Sequence, residues 1–334
     1  AVTILFDGAM SNAHVKVNGK EVAQWPYGYN SFYVDVTPEV VPGTNTLEVS
    51  LENYERASRW YPGAGLYRNV HVIETDRVHV PVWGTYVTTP NVSADESTVK
   101  LTTEIEGLAK GDKISVVTYI KSPSGEIVAR DSSLYVAHGQ SFTQLFNVEH
   151  PQLWSLTDPA LYTADTRLVG QDGRLLDSYT TRFGIRSIEY LPEKGFFLNG
   201  ENVKFRGVCM HHDLGPLGAA VNRSAIRHQL DLLKEMGVNA IRTAHNMPAP
   251  ELVELADEMG IMLMIEPFDD WSFRPKSPNG YGSLFNEWAE RDVTNMIRHY
   301  RNSPALVMWS SGNEVPSQWG PDGVAESVML LDIF

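Results

Sequence analysis

The sequence has little of several things, and each shortage excludes a class of protein. Cys209 is the one cysteine among 334 residues, so no disulfide can form within the chain. No apolar run approaches the ~18 residues that a membrane-spanning helix needs. Basic residues are scarce as well, with 27 Lys and Arg against 41 Asp and Glu, a net charge of −14. Because nucleic acids and anionic membranes both bind basic surfaces, neither is expected as a partner.

The start of the chain and its single cysteine leave the cellular compartment open. The sequence begins at Ala1 in a strand-like run, without Met, and no signal peptide is visible. We therefore expect truncation at the amino terminus, so the missing signal excludes nothing. Cys209 lies in an apolar run and is expected to be inert packing. A periplasmic or secreted bacterial protein is favoured over a cytoplasmic one.

Residues 1–187 show the short alternating runs that are typical of β domains. Around the pair Asn18-Gly19, apolar and polar residues alternate over 15–22, which predicts a tight hairpin. Further on, turns rich in Ser, Gly or Asp separate short runs at 115–120, 126–130, 141–148 and 162–168. Since no helical pattern interrupts these runs, a β-sandwich is expected.

From about residue 188, helical and strand patterns alternate. Ile226, Leu230, Leu233 and Met236 recur at helical spacing, and Gly237 follows as a C-terminal stop. Short apolar strands are expected at 203–209, 238–242, 261–265 and 305–309, with further helices at 250–260 and 286–301. Four strands that alternate with helices fit a parallel barrel or a doubly wound sheet. The first strand has no glycine-rich phosphate loop after it, which disfavours a nucleotide-binding sheet.

Every expected parallel strand ends in polar residues. These ends hold His211, His212 and Asp213, then Arg242, His245 and Asn246, then Glu266, Asp269, Asp270 and Trp271, and finally Asn313 and Glu314. In an α/β barrel the carboxyl ends of the strands meet at the catalytic rim. Singly, each residue has a structural explanation as a cap, ion pair, turn or packing residue, but their convergence favours a site.

Two of these residues suggest a particular chemistry. Glu314 follows a buried strand and can donate a proton to a leaving oxygen, and Asn313 beside it can hydrogen-bond a substrate hydroxyl. The adjacent His211 and His212 lack further ligands at a metal-binding spacing, so no metal site is predicted. Trp319 lies in a loop after Pro316, where a large ring is not readily explained as core.

Two runs resemble the signatures of glycoside hydrolase family 2. Residues 239–248, Asn-Ala-Ile-Arg-Thr-Ala-His-Asn-Met-Pro, are similar to the first signature, and residues 301–314 are similar to the acid/base signature. The similarity extends to flanking runs at 63–68, 151–155 and 182–189. It implies a multidomain chain with a β jelly-roll sandwich at 1–79, an immunoglobulin-like β-sandwich at 80–187 and the first half of a TIM (β/α)8 barrel at 188–334. Truncation at both ends is expected.

The resemblance also implies roles for the polar strand ends. Glu314 would be the general acid/base of a retaining glycosidase, and Asn313 would hold the sugar 2-hydroxyl. His211 and His245 would line the terminal-sugar subsite, and Arg242 would orient a catalytic carboxylate. Sugar contacts or positions in the cleft wall are implied for Asn246, Asp269, Trp271 and Trp319. No cofactor is required, although a divalent or monovalent cation is compatible with the family.

Within the family, the local sequence favours an exo-acting β-galactosidase. Asn246 stands after His245 where Tyr is commoner in the first signature, with Met247 before Pro248. This variant resembles β-galactosidase-like members of gut bacteria, as does the run 211–220. β-Glucuronidase and β-mannosidase remain alternatives, with an oligosaccharide or glycoside as substrate in each case.

An endoglucanase-like barrel shares the Asn-Glu pair but would not carry two sandwiches. A non-catalytic carbohydrate-binding or scaffold protein is the alternative of another class. Homo-oligomerisation is left open.

The catalytic nucleophile is expected outside this sequence. A retaining enzyme needs a second carboxylate about 5–5.5 Å from the first, and the family's nucleophile is a Glu on a later barrel strand. About four strands of the eight in a barrel are present, and Glu266 ends the wrong strand for that role. The 334-residue chain alone should therefore not hydrolyse a nitrophenyl galactoside. Turnover by the purified chain that Glu314→Gln abolished would contradict this expectation.

Overall fold

The computed structural model describes residues 1–139 and 141–334, and its first part is a sandwich of two three-stranded antiparallel sheets. Six strands build it: β1 Val2–Phe6, β2 Ala13–Val17, β3 Lys20–Trp25, β4 Phe32–Asp35, β5 Leu47–Ser50 and β6 Val70–Glu74. The strand orders are β4-β1-β6 and β3-β2-β5. Phe6 stacks on Phe32 at 4.8 Å in the core. Asn18 and Gly19 turn between β2 and β3 with φ of 52° and 83°, which confirms the predicted hairpin.

A second antiparallel sandwich follows, and its strands contain three of the four runs predicted for it, while the run 126–130 begins one residue before its strand. They are β7 Thr85–Val92, β8 Glu96–Glu104, β9 Lys113–Lys121, β10 Ile127–Val136, β11 Ser141–Glu149, β12 Tyr162–Val169 and β13 Leu175–Phe183. The sheet orders are β10-β9-β12-β13 and β11-β8-β7. Alternate residues of β8 and β9 are buried, as expected for strands with one face on a core.

A three-stranded meander leads into the α/β part. Its strands are β14 Ile188–Leu191, β15 Gly195–Leu198 and β16 Glu201–Asn202. The α/β part itself has strands β17 Gly207–Met210, β18 Ala240–Thr243, β19 Met262–Ile265 and β20 Leu306–Trp309, and helices α1 Arg223–Glu235, α2 Pro250–Met259, α3 Phe285–Tyr300 and α4 Gly323–Ile333. The four strands are parallel and adjacent in chain order. Sequential order fits a barrel, whereas a doubly wound sheet reverses its order at a switch point.

The helix ends agree with the sequence, but the first parallel strand does not. Gly260 ends α2 in the left-handed conformation, and Gly237, with φ of 83°, lies just after α1. The strand expected at 203–209 begins only at Gly207. The side chain of Asn239 bonds the carbonyl of Lys204 and the amide of Arg206, so a side chain takes the place of the backbone ladder there. Cys209 is exposed rather than buried packing, which corrects the expectation for it.

Side chains from the segment that follows the second sandwich hydrogen-bond to the backbone in and just before β20. The Arg186 guanidinium donates to the carbonyls of Pro304 and Leu306, each at 2.5 Å, and the Tyr190 hydroxyl donates to the carbonyl of Val307. Burial lowers the pKa of Arg186 to about 10. None of the helices in 1–139 and 141–334 is long and apolar enough to cross a membrane.

A buried carboxylate joins the first sandwich to the α/β part. Asp292 on α3 accepts hydrogen bonds from Trp25 Nε1 at 2.9 Å, Asn30 Nδ2 at 2.6 Å and the Tyr281 hydroxyl at 2.6 Å. Burial raises its pKa to about 7, although the three donors favour the charged form. Two of the donors come from the sandwich, so this carboxylate ties the position of the sandwich to α3.

Replacing Asp292 with Ala should destabilise the protein, because it leaves three largely buried donors unpaired at about 1–3 kcal/mol each. We expect the free energy of unfolding to fall by about 3 kcal/mol or more in denaturant titrations. Glu290→Ala, an exposed acidic position on the same helix, is the matched control and should change it by less than about 0.5 kcal/mol. Equal stability of the two variants would show that the three-donor contact contributes nothing.

Candidate active site

The ends of the parallel strands converge on one buried carboxylate, Glu266, which follows β19. Its side chain is 0% exposed. Oε2 accepts from Arg242 Nη2 at 2.6 Å and Nε at 3.0 Å, and also from the hydroxyl of Ser310. Oε1 lies 2.7 Å from His245 Nδ1. Since a carboxylate only accepts, His245 Nδ1 is the donor of this hydrogen bond.

Asn313 is held from both sides of its carboxamide. Oδ1 accepts from Arg242 Nη2 at 3.1 Å, and Nδ2 donates to Asp269 Oδ1 at 2.8 Å. An arginine cannot accept and a carboxylate cannot donate, so these partners fix which end is oxygen and which is nitrogen. The buried side chain retains one N–H and one lone pair for a ligand.

Asp269 links this carboxamide to two cations. Arg59 contacts it twice, Nε to Oδ2 and Nη2 to Oδ1, both at 2.7 Å, and Lys276 Nζ lies 3.0 Å from Oδ1. Burial raises the pKa of Asp269, but the hydrogen bonds from Arg59, Asn313 and Lys276 outweigh it and lower the pKa to about 2. Asp269 is therefore ionised throughout the neutral range.

Glu314 stands beside this network without joining it. Its side chain is exposed and has no hydrogen-bond partner or ion pair among the residues that the structure describes. Its φ is +46°, a left-handed conformation that costs about 1–3 kcal/mol for a residue other than glycine. Trp271 is buried behind the turn, and its Nε1 donates to the carbonyl of Ser311 at 2.8 Å. The turn is thus braced from behind while the carboxylate faces out.

Gly312 allows this close bracing. A Cβ at this position would lie 2.8 Å from Trp271 Nε1 and 3.0 Å from Val315 Cγ1. The distance to Trp271 is shorter than real Cβ contacts, so a side chain at 312 would displace the indole that supports the turn. Glycine is therefore required one residue before Asn313 and two before Glu314.

Three rings form a wall next to the polar network. His211 and His245 lie 5.5 Å apart with nearly perpendicular rings, and Trp60 lies 5.1 Å from His211 and 6.0 Å from His245. Burial lowers the pKa of His211. Trp60 belongs to the first sandwich and is held by a bond from Nε1 to the Tyr29 hydroxyl at 2.9 Å. Such a wall can pack against an apolar sugar face.

His212 turns away from the site. Its Nε2 lies 3.1 Å from the carbonyl of Pro62, and its ring packs on Tyr29 and Tyr67. Burial, aided by the positive charge of Arg68, lowers its pKa to about 4, so the ring is neutral at pH 7. It therefore serves the contact between the first sandwich and the barrel region.

Two of the residues predicted from sequence lie at the margins of the site. Asn246 is buried, and its Nδ2 bonds the carbonyl of Ala244 at 3.3 Å. Trp319 ends the short turn Pro316–Trp319 after Glu314 and is 80% exposed. The structure thus brings Asn313, Arg242, His245 and Asp269 into one network, with His211 beside it. Trp271 braces the network from behind.

Four contributors were missed by the sequence reasoning, namely Arg59, Trp60, Lys276 and Ser310, and Glu266 was weighed only as a nucleophile. Arg59 and Trp60 stand four and three residues before the recognised run at 63–68. Their closeness to this run was the one sequence signal for them, although it does not reveal that the loop reaches the barrel rim.

Among residues 1–139 and 141–334, no group of three or more His, Cys, Asp or Glu side chains could hold a metal ion.

Comparison with known proteins gives consistent results. The family models "Glycosyl hydrolases family 2" and "Glycosyl hydrolases family 2, TIM barrel domain" match residues 78–186 and 190–330. A β-galactosidase of Bacteroides ovatus is 44% identical over 98% of this chain, which spans 39% of that protein. A putative β-glucuronidase of Formosa agariphila is 38% identical over 96% of the chain, which spans 31% of it. A glycosyl hydrolase family 2 structure from Bacteroides cellulosilyticus superposes with a TM-score of 0.95 at 33% identity, covering 100% of this chain and 44% of that one.

Loss of the guanidinium beside Glu266 should destabilise the fold. Arg242→Met leaves a buried carboxylate without its cation, and we expect the free energy of unfolding to fall by about 3–5 kcal/mol. Adding Glu266→Gln should recover part of the loss, because a neutral amide needs no counter-charge. Arg206→Met, at an exposed arginine, is the control. Denaturant midpoints that are the same for Arg242→Met and Arg206→Met would contradict the assignment.

Proposed function

This chain belongs to glycoside hydrolase family 2, and we propose that the whole protein is a retaining exo-β-glycosidase, specifically a β-galactosidase, with Glu314 as its acid/base. In this proposal the chain carries a jelly-roll sandwich, an immunoglobulin-like sandwich and the first half of a TIM barrel. The observation that carries the proposal is an unpaired, exposed Glu314 next to a carboxamide that is locked by Arg242 and Asp269.

Glu314 has two tasks in a double displacement. In the first step it protonates the glycosidic oxygen while a nucleophile attacks the anomeric carbon, and the sugar becomes covalently attached. In the second step it removes a proton from the water that releases the sugar. A group that exchanges protons with leaving group and water needs access to both, and the exposure of Glu314 supports that role.

Asn313 and the ring wall suit the binding of the terminal sugar. The remaining N–H and lone pair of Asn313 can hold the 2-hydroxyl, a contact that strengthens in the transition state. Because Arg242 and Asp269 hold the carboxamide before substrate arrives, its orientation needs no rearrangement during reaction. We place the sugar ring against His211, His245 and Trp60, and Trp319 at the outer edge of the cleft.

The nucleophile is proposed to lie outside these residues. Glu266 is fully buried, and both of its oxygens are occupied by Arg242, His245 and Ser310. Asp269 is paired with Arg59 and Lys276. Neither carboxylate is free to attack a sugar, which supports a separate nucleophile in the whole protein.

β-Glucuronidase is the second candidate, supported by the names of relatives. Besides the Formosa agariphila protein, a β-glucuronidase of Bacteroides fragilis is 28% identical over 93% of this chain. The chain spans less than half of each of these proteins. An experiment therefore has to decide which sugar the whole protein prefers. A panel of nitrophenyl β-galactoside, β-glucuronide and β-mannoside on the whole protein should give the highest kcat/KM with the galactoside. A preference for the glucuronide would replace the galactosidase assignment.

Glu314→Ala in the whole protein should lower kcat by about 100- to 10,000-fold for substrates with poor leaving groups. Azide should restore turnover of activated substrates by attacking the glycosyl-enzyme intermediate, with a β-glycosyl azide as product. Glu287→Ala, at an exposed carboxylate on α3, should behave as wild type. Full activity of Glu314→Ala would refute the acid/base role, and absence of any turnover by the wild type would favour a non-catalytic binding protein.

A further inference from the structure

We propose that Arg59, which the first sandwich contributes, is a positioning residue of the catalytic site and acts through Asp269 to fix the carboxamide of Asn313 beside Glu314. The inference rests on the proposed function, because it assigns Arg59 to the same site. It adds that the barrel region does not hold its substrate-binding carboxamide by itself.

The geometry of the Arg59–Asp269 pair restricts rotation of the carboxylate. Nε and Nη2 of Arg59 each contact a different oxygen at 2.7 Å, so the guanidinium and carboxylate form a two-pronged pair. The same Oδ1 accepts from Asn313 Nδ2 at 2.8 Å. Turning the carboxylate would break one prong or release Asn313. The two-pronged pair therefore fixes the acceptor that determines where Nδ2 points.

Lys276 cannot replace this constraint. Its Nζ reaches only Oδ1 of Asp269, at 3.0 Å, and also donates to the carbonyls of Asp269 and Asn313. One contact from a flexible ammonium supplies charge but leaves the carboxylate free to rotate about its bond. With Lys276 alone, Asp269 would stay ionised while its orientation toward Asn313 loosened.

Arg59 also lies within the electrostatic reach of the proposed acid/base. The hydrogen bonds to Asp269 and the nearby charges of Asp269, Glu314 and Asp270 raise the pKa of Arg59. The guanidinium is therefore a fixed positive charge that contacts Asp269 directly and Glu314 only through space, so its effect on the site passes mainly through Asp269.

The loop that carries Arg59 is fixed before any substrate arrives. The Ser58 hydroxyl bonds both the amide and the carbonyl of Trp60. Asn279 Nδ2, from the α/β part, donates to the carbonyl of Glu55 at 2.7 Å. Gly63 approaches so closely that a Cβ there would lie 2.3 Å from Ala219 Cβ. These contacts hold the loop on both sides of Arg59, so the side chain is preorganised rather than recruited.

The test compares Arg59→Ala and Arg59→Lys in the whole protein, with Arg56→Ala as the control. Arg56 is exposed in the same loop, and its side chain makes no hydrogen bond or ion pair among the described residues. Arg59→Ala should lower kcat/KM for a nitrophenyl galactoside about 10- to 100-fold, mainly through kcat. Arg59→Lys should recover only part, because it restores charge without the two-pronged geometry. Arg56→Ala should match wild type.

A double-mutant cycle separates positioning from a general loss of structure. If Arg59 acts through Asp269, the pair Arg59→Ala/Asp269→Ala should lose no more activity than Asp269→Ala alone. Fully additive losses, or wild-type kcat/KM in Arg59→Ala, would overturn the inference. Should Arg59→Ala fail to fold, full recovery in Arg59→Lys would count against the two-pronged requirement.

The inference can also fail or hold independently of the proposed function. If the whole protein turns over no β-glycoside, the proposed glycosidase function is refuted. The contact between Arg59 and Asp269 is then tested by NMR titration of the carboxyl groups in the folded protein. Arg59→Ala should then raise the pKa of Asp269, and Arg56→Ala should leave it unchanged. An unchanged Asp269 in Arg59→Ala would overturn the inference in that case as well.

Discussion

The site depends on the carboxamide of Asn313, which hydrogen bonds hold at both its oxygen and its nitrogen. Arg242 can only donate to Asn313 and Asp269 can only accept from it. Each holder is itself held, Arg242 by Glu266 and Asp269 by Arg59. Because every link is a charged hydrogen bond in a partly buried setting, a displacement at one end would shift the groups at the other.

Two domains contribute side chains to this network. The barrel region supplies Glu266, Arg242 and Asn313 from the ends of its strands, where a parallel architecture brings side chains together. The first sandwich supplies Arg59 and Trp60 from a loop and is anchored by the donors on Asp292. The position of the sandwich is therefore part of the geometry of the site, and stability of the interface and precision of the site are linked.

Periodicity and turn chemistry predicted most elements because those signals are local. The helix before Gly237, the hairpin at Asn18-Gly19 and the four parallel strands all follow from patterns over a few residues. The late start of β17 was missed because a distant side chain, Asn239, takes the hydrogen bonds of its first residues. Helix α4 was not foreseen either.

The network around Asn313 was foreseen in part, for the same reason. Strand ends and the resemblance named Asn313, Arg242, His245 and Asp269, but not their partners. Arg59 joins Asp269 across 210 residues of sequence, and no local pattern encodes such a pairing. His211 and His212 are adjacent in sequence, but their side chains point to opposite sides of the strand end. His211 packs against His245 in the site, and His212 contacts the carbonyl of Pro62.

The side chains that reach β20 have a consequence for how the domains move. Arg186 and Tyr190, from the segment between the second sandwich and the α/β part, donate to the carbonyls of Pro304, Leu306 and Val307. A hinge motion at this junction would leave a largely buried guanidinium without its acceptors. The second sandwich and the α/β part should therefore move together as one rigid body.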